Sequence, residues 1–114
     1  MTHPSKVKGS RWEAVVRDYL AESLGVRVER IPAGAGADRG DLTGIDGICV
    51  ECKDQQKLEL AGWVVEAERE ASNVSADTLP VVIAKRRMRP VEDAYAIMPL
   101  WAWTELIARS KAIK

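Results

Sequence analysis

Between Ser10 and Leu24, the apolar residues Trp12, Val15, Val16, Tyr19, Leu20 and Leu24 recur at helical spacing, which predicts an amphipathic helix with one buried stripe. Ser10 is a natural N-cap for it and Gly25 a natural stop. The period then changes. Val26 and Val28 alternate with Arg27 and Glu29 up to Ile31, the mark of a short strand closed by Pro32. The stretch Ala33-Gly34-Ala35-Gly36-Ala37 has neither period and reads as a loop, leading through Asp38-Arg39-Gly40-Asp41 into a second strand. Leu60, Trp63, Val64, Ala67, Ala71 and Val74 predict a second amphipathic helix, with Glu59, Glu66, Glu68, Arg69, Glu70 and Asn73 on its other sides. Leu79 to Ala84 is a continuous apolar run of strand length, the pattern of a strand covered on both faces. Ala94 to Met98 predicts another strand. Pro99 opens a last helix carrying Leu100, Trp101, Trp103, Leu106 and Ile107. Trp101 and Trp103 lie two apart, so they cannot face the core equally, and one is a candidate for a dimer interface.

The hairpin between the second and third strands fixes which side chains share a face. Leu42 and the run Ile48 to Lys53 flank Gly44-Ile45-Asp46-Gly47, and Asp-Gly between apolar runs signals a tight connection. A two-residue turn at Asp46-Gly47 sets Leu42 opposite Glu51, pairing a core residue with a charge. A three-residue loop, Ile45-Asp46-Gly47 with Gly47 in the left-handed position, sets Leu42 opposite Val50 and Asp41 opposite Glu51. In that register Leu42, Ile48, Val50 and Cys52 share one face, while Asp41, Glu51 and Lys53 share the other. The order of elements, α-β-β-β-α-β-β-α, predicts an α/β fold: a single domain over residues 1–114 with helices packed on a mixed sheet.

Composition narrows the classes. A chain of 114 residues, 46% hydrophobic and 30% charged, suits one globular domain, and no apolar run is long enough to cross a bilayer. Basic residues near the start are followed by no apolar stretch, so the sequence is expected to be cytoplasmic rather than secreted. The two cysteines, Cys49 and Cys52, are an odd number apart on a strand and point to opposite faces, which argues for packing over zinc or a disulfide. Net charge is zero, a mild argument against nucleic acid, but the charge is unevenly placed. Lys85-Arg86-Arg87-Met88-Arg89 is one basic run, and Lys6, Lys8 and Arg11 form another.

Two carboxylates and a lysine converging on one face of a hairpin are costly neighbours, since the like-charged carboxylates repel, and a divalent cation resolves that repulsion. Mg²⁺, or Mn²⁺, prefers such hard oxygen ligands, and Asp41, Glu51 and the carbonyl of Cys52 are the candidate ligands. Lys53 beside them is placed to orient a water or stabilise developing charge, which points to phosphodiester hydrolysis.

The sequence Gly40-Asp41-Leu42 followed by Val50-Glu51-Cys52-Lys53 resembles the D…(E)xK motif of the PD-(D/E)XK nuclease superfamily, with Gly40 in place of the proline. The superfamily's restriction-endonuclease-like core, α-β-β-β-α-β, has the order predicted above. Lys8-Gly9-Ser10-Arg11-Trp12-Glu13 is similar to the K-G-x-x-x-E opening of archaeal-type Holliday junction resolvases. Arg30-Ile31-Pro32-Ala33-Gly34-Ala35-Gly36 looks like the arginine and small-residue loop that precede the catalytic aspartate there. This resemblance, over Lys8 to Ala84, implies a homodimer that cuts four-way DNA junctions with Mg²⁺ in recombination and repair. It implies Glu13, Asp41, Glu51 and Lys53 as catalytic residues, with Glu13 joining the metal site. Lys8, Arg11, Arg30, Arg39, Gln55, Lys85, Arg86 and Arg87 are the candidate DNA contacts. Two alternatives stand beside the junction resolvase: a related endonuclease acting on flap, duplex or single-stranded DNA, and a DNA-binding module without catalysis.

Overall fold

The computed structural model describes residues 4–111 apart from 33 and 35. Ala33 and Ala35 of the small-residue loop therefore lie outside the described residues. Helix α1 runs over Pro4–Leu24, six residues longer at its start than the apolar stripe predicts. Proline is tolerated in a helix's first turn because its missing N–H would have no partner there. Ser10 is thus interior rather than a cap, and its hydroxyl accepts a hydrogen bond from Arg30 Nη2 at 2.5 Å. Gly25 does end the helix, its N–H donating to the carbonyl of Ala21 at 3.0 Å.

Five strands form one sheet in sequential order: β1 (Glu29–Arg30), β2 (Leu42–Thr43), β3 (Ile48–Lys53), β4 (Leu79–Ala84) and β5 (Tyr95–Ile97). Only β3 and β4 are parallel, and helix α2 (Leu60–Val74) makes the crossover between them. The predicted first strand shrinks to two residues because only Glu29 and Arg30 find partners, in Thr43 and Leu42. A 3-10 turn at Val91–Asp93 precedes β5, which is shorter than the predicted strand, and helix α3 (Leu100–Arg109) closes the described chain. The α/β class and mixed sheet agree with expectation and fit a restriction-endonuclease-like core. Among the described residues, no helix is long and apolar enough to cross a membrane.

The sheet separates two cores. Trp12 and Val16 of α1 pack with Val28, Leu42, Val50 and Cys52 on one face. Trp63 and Ala67 of α2 pack with Val82 and Ala84 on the other. Burying a side chain such as Val50 or Val82 contributes about 1.5–3 kcal/mol. The hairpin register is the three-residue one: Leu42 pairs with Val50, the N–H of Ile48 donates to Ile45 O at 3.1 Å, and Gly47 has φ +76°. Both cysteines are free, and both are buried.

Two helices depart from their predicted faces. In α2, Leu60 and Val74 are exposed, and the buried positions are Trp63, Ala67, Glu70 and Ala71. In α3 neither tryptophan faces the core: Trp101 and Trp103 are each 52% exposed, and Ala102 between them is fully buried. Close approach of α3 to its support leaves room at that position only for a methyl group.

Candidate active site

Gly40 sets up the site. Its φ of +91° belongs to the region that favours glycine, and a Cβ there would lie 2.8 Å from Cys49 Sγ and 2.9 Å from Val50 O. Proline, locked near −65°, cannot adopt this backbone, which accounts for glycine at the place where the motif has proline. Asp38 supports the turn by accepting the Gly40 N–H at 3.0 Å, and Asn73 Nδ2 of α2 donates to the Asp38 carbonyl at 2.7 Å.

Asp41 follows, pinned on both sides. Its N–H donates to Val50 O at 2.8 Å, its carbonyl accepts from the Ile31 N–H at 2.9 Å, and its Oδ2 accepts from the Cys52 N–H at 2.7 Å. Cys52 thus meets the aspartate through its amide, while its thiol packs on the α1 side. Glu51, only 4% exposed, lies within hydrogen-bonding reach of the Asp41 carboxylate. Lys53 Nζ reaches the same group of charges and is held by Glu66, at 3.2 and 3.4 Å from its two carboxylate oxygens. Asp41, Glu51 and Lys53 therefore converge on the α2 side of the sheet.

Two members of this group were not singled out by the sequence. Glu66 and Glu70, assigned above to the outer sides of α2, turn toward the sheet, and with Glu51 they place carboxylate oxygens within 4.8 Å of one another. A signal was present: Trp63, Glu66, Ala67, Glu70 and Ala71 all lie at core-facing spacing, with two acids inside the apolar stripe. Glu70 is wholly buried, and neither of its carboxylate oxygens has a hydrogen-bond partner.

The charges respond to this crowding. Burial, then the neighbouring Asp41, Glu70 and Glu66, drive the Glu51 carboxyl far above the ordinary range. Burial is also the main cause that pushes Glu70 up to about 7, with the nearby Glu51 carboxyl opposing and Asp38 and Glu66 adding. For Glu66 burial works upward, yet hydrogen bonding with Glu51 and the Lys53 charge bring its carboxyl below the usual value. Burial likewise works to lower Lys53, but Glu51 and Glu66 outweigh it and hold the ammonium more firmly protonated.

These residues fit a hard divalent cation. The donors are carboxylate oxygens, no histidine is among them, and one lysine cannot neutralise four acids. The orphaned oxygens of Glu70 are the kind of buried polar atoms that a cation satisfies. Soft-metal chemistry does not fit, because burial raises the Cys49 thiol to about 12 and the Cys52 thiol further.

Glu13 approaches from α1. Arg30 holds it, with Nε 3.3 Å from its Oε1, and burial together with the Asp41 charge raises its carboxyl despite that arginine. A groove of about 1020 Å³ lies between the start of α1 and the small-residue loop; Glu13, Asp41, Lys6, Ser10, Arg30 and Arg39 are in its wall. Of the other candidate contacts, Arg11 and Gln55 are exposed. Arg86 stacks over Tyr95, 4.8 Å from the ring centroid, and donates to Asp93 O at 3.4 Å. Lys8, Lys85 and Arg87 surround the buried carboxylate of Asp54.

Residues 4–111 match the model of a family described as "Phage putative PDDEXK endonuclease". Neither a curated protein nor a solved structure matches the chain.

Proposed function

We propose, from the premise that the chain belongs to this phage PDDEXK endonuclease family, that it is a Mg²⁺-dependent endonuclease that hydrolyses phosphodiesters in branched DNA. The convergence of Asp41, Glu51 and Lys53 on one side of the sheet carries this reading. Asp41 and Glu51 hold the cation, and Glu66, Glu70 and Glu13 supply further negative charge around it. When bound, the ion supplies Lewis-acid polarisation of the phosphate and lowers the pKa of a nearby water.

The chain's own groups do the rest. The Cys52 N–H fixes the rotamer of Asp41, so the carboxylate is aimed before substrate arrives. Lys53, clamped by Glu66, presents a fixed positive charge to the phosphoryl oxygens as negative charge builds on them. Arg30 orients Glu13 at the mouth of the groove, where the DNA backbone passes. Arg39, in the wall of that groove, and Arg11, Arg86 and Gln55, outside it, are the further candidate backbone contacts.

Within this reading the substrate is a four-way junction cut by a homodimer, one strand per subunit. The support is the Lys8-Gly9-to-Glu13 motif, whose glutamate stands beside Asp41. A panel of four-way, flap, duplex and single-stranded DNAs, with and without Mg²⁺, tests both levels. Paired symmetric nicks near the crossover, lost in Glu51→Gln with DNA binding kept, are the expected result. Preference for flaps defeats junction resolution, and binding without metal-dependent cutting by the wild-type protein defeats catalysis.

A further inference from the structure

Immediately after Lys53, at the same end of the parallel pair, the chain builds a cluster of opposite sign. Asp54 is buried, its side chain 2% exposed, and three cations surround it: Arg87 Nη1 at 2.6 Å, Lys8 Nζ at 3.9 Å and Lys85 Nζ at 4.0 Å. They come from separate parts of the fold, Lys8 from α1 and the other two from the segment after β4. Their side chains remain 37–49% exposed, so each can also face solvent. Lys85 sits over the ring of buried Trp12, 5.7 Å from its centroid, and its N–H donates to Lys53 O at 2.9 Å. The cluster is thereby tied to the strand that carries the candidate catalytic lysine.

One cation is enough to neutralise one buried carboxylate. Arg87 is close enough for that task, and two lysines gathered beside it add mutual repulsion that the aspartate alone does not offset. The cluster keeps a net excess of two positive charges in a chain whose formal charge is zero. An anion that bridges the exposed ends of these cations removes the repulsion.

We propose that Lys8, Lys85 and Arg87 form a phosphate clamp with Asp54 as its positioning residue, and that it grips a backbone phosphodiester of the bound DNA. This rests on the nuclease reading for the identity of the anion. Asp54 does not touch DNA. It holds three flexible cations in one place, so that less side-chain freedom is lost when the phosphate arrives. The clamp is separate from the carboxylate site, where Lys53 is already committed to Glu66.

The test is binding of fluorescent duplex and junction DNA, measured by anisotropy between about 50 and 200 mM salt. The proteins carry Glu51→Gln so that no cutting occurs, and cleavage is assayed separately in the wild-type background. Lys85→Gln and Arg87→Gln are each expected to make the negative slope of log affinity against log salt shallower by about 0.9 for duplex DNA. Arg87→Lys is expected to restore the slope, and Arg27→Gln, a charge change at an 88% exposed side chain, to leave it unaltered. Asp54→Asn keeps all three cations but frees them, so weaker binding with little change of slope is expected. Unchanged affinity and slope in Lys85→Gln and Arg87→Gln overturn the clamp, and metal-dependent cutting by the wild type then leaves the nuclease reading intact. Loss of slope in a protein that never cuts leaves the clamp standing and removes the nuclease. Absence of any DNA binding overturns both.

Discussion

Replacing Glu70 by glutamine should make the metal-free protein more stable in alkaline buffer. Glu70 is fully buried against Glu51 and Glu66, with no partner for either oxygen. Its carboxyl is raised, chiefly by burial, from an ordinary 4.5 to about 7. A folded-state value above the unfolded one means that the native protein binds the proton more tightly. The associated stability is fully present below pH 4.5 and is lost as pH rises through 7. The whole rise corresponds to about 3 kcal/mol at roughly 1.4 kcal/mol per unit. Three carboxyls share the protons, so about 1–3 kcal/mol is the expected gain for Glu70→Gln at pH 8.5. For a domain of this size that is a rise in Tm of roughly 4–12 °C. By the same linkage the gain shrinks to about a quarter at pH 5. Thermal melts of both proteins in EDTA, at pH 5 and pH 8.5, measure it directly. Saturating Mg²⁺ at pH 8.5 should raise the wild type towards the variant, because bound cation stabilises only the folded state. A variant equally stable relative to wild type at both pH values, or destabilised at pH 8.5, refutes the reasoning. It would mean that contacts made by the Glu70 carboxylate outweigh the cost of its charge.

Other consequences concern different parts of the fold. Lys53→Met removes the charge aimed at the phosphate, so Mg²⁺-dependent cutting should fall by about 10²–10³ while DNA affinity changes little; retention of cutting within a factor of ten excludes that role. Gly40→Ala forces a Cβ against Cys49 Sγ and Val50 O at φ +91° and should cost about 2–4 kcal/mol in urea unfolding. A cost under about 0.5 kcal/mol would show that the turn relaxes. Ala102→Leu, at a fully buried position of α3, should destabilise by about 1–3 kcal/mol, more than Trp103→Ala at the exposed neighbour. The reverse order in denaturant midpoints would show that the tryptophan, and not the alanine, faces the core. Trp12→Phe loses the hydrogen bond from Nε1 to Ile83 O and should lower stability by about 1 kcal/mol, read in the same assay.

Much of the architecture was legible in the chain because local rules dictated it. The helical period around Trp12 and Val16, the apolar run Leu79 to Ala84 and the turn ending in Gly47 each encode an element within a few residues. Strand alternation then carried Asp41, Glu51 and Lys53 to a common face once Leu42 was set opposite Val50. Side-chain parity along a strand is a property of the backbone, and no knowledge of neighbours is needed to apply it.

What escaped the sequence depended on partners far along the chain. Glu66 and Glu70 share the stripe of Trp63, Ala67 and Ala71, but only the seating of α2 over β3 brought that stripe, acids included, to Glu51. The extra turns of α1, the outward tryptophans of α3 and the gathering of Lys8, Lys85 and Arg87 around Asp54 have the same origin. Periodicity tells which residues lie on one side of an element. It does not tell which element meets that side, so charges brought together across long stretches of chain are decided by packing alone.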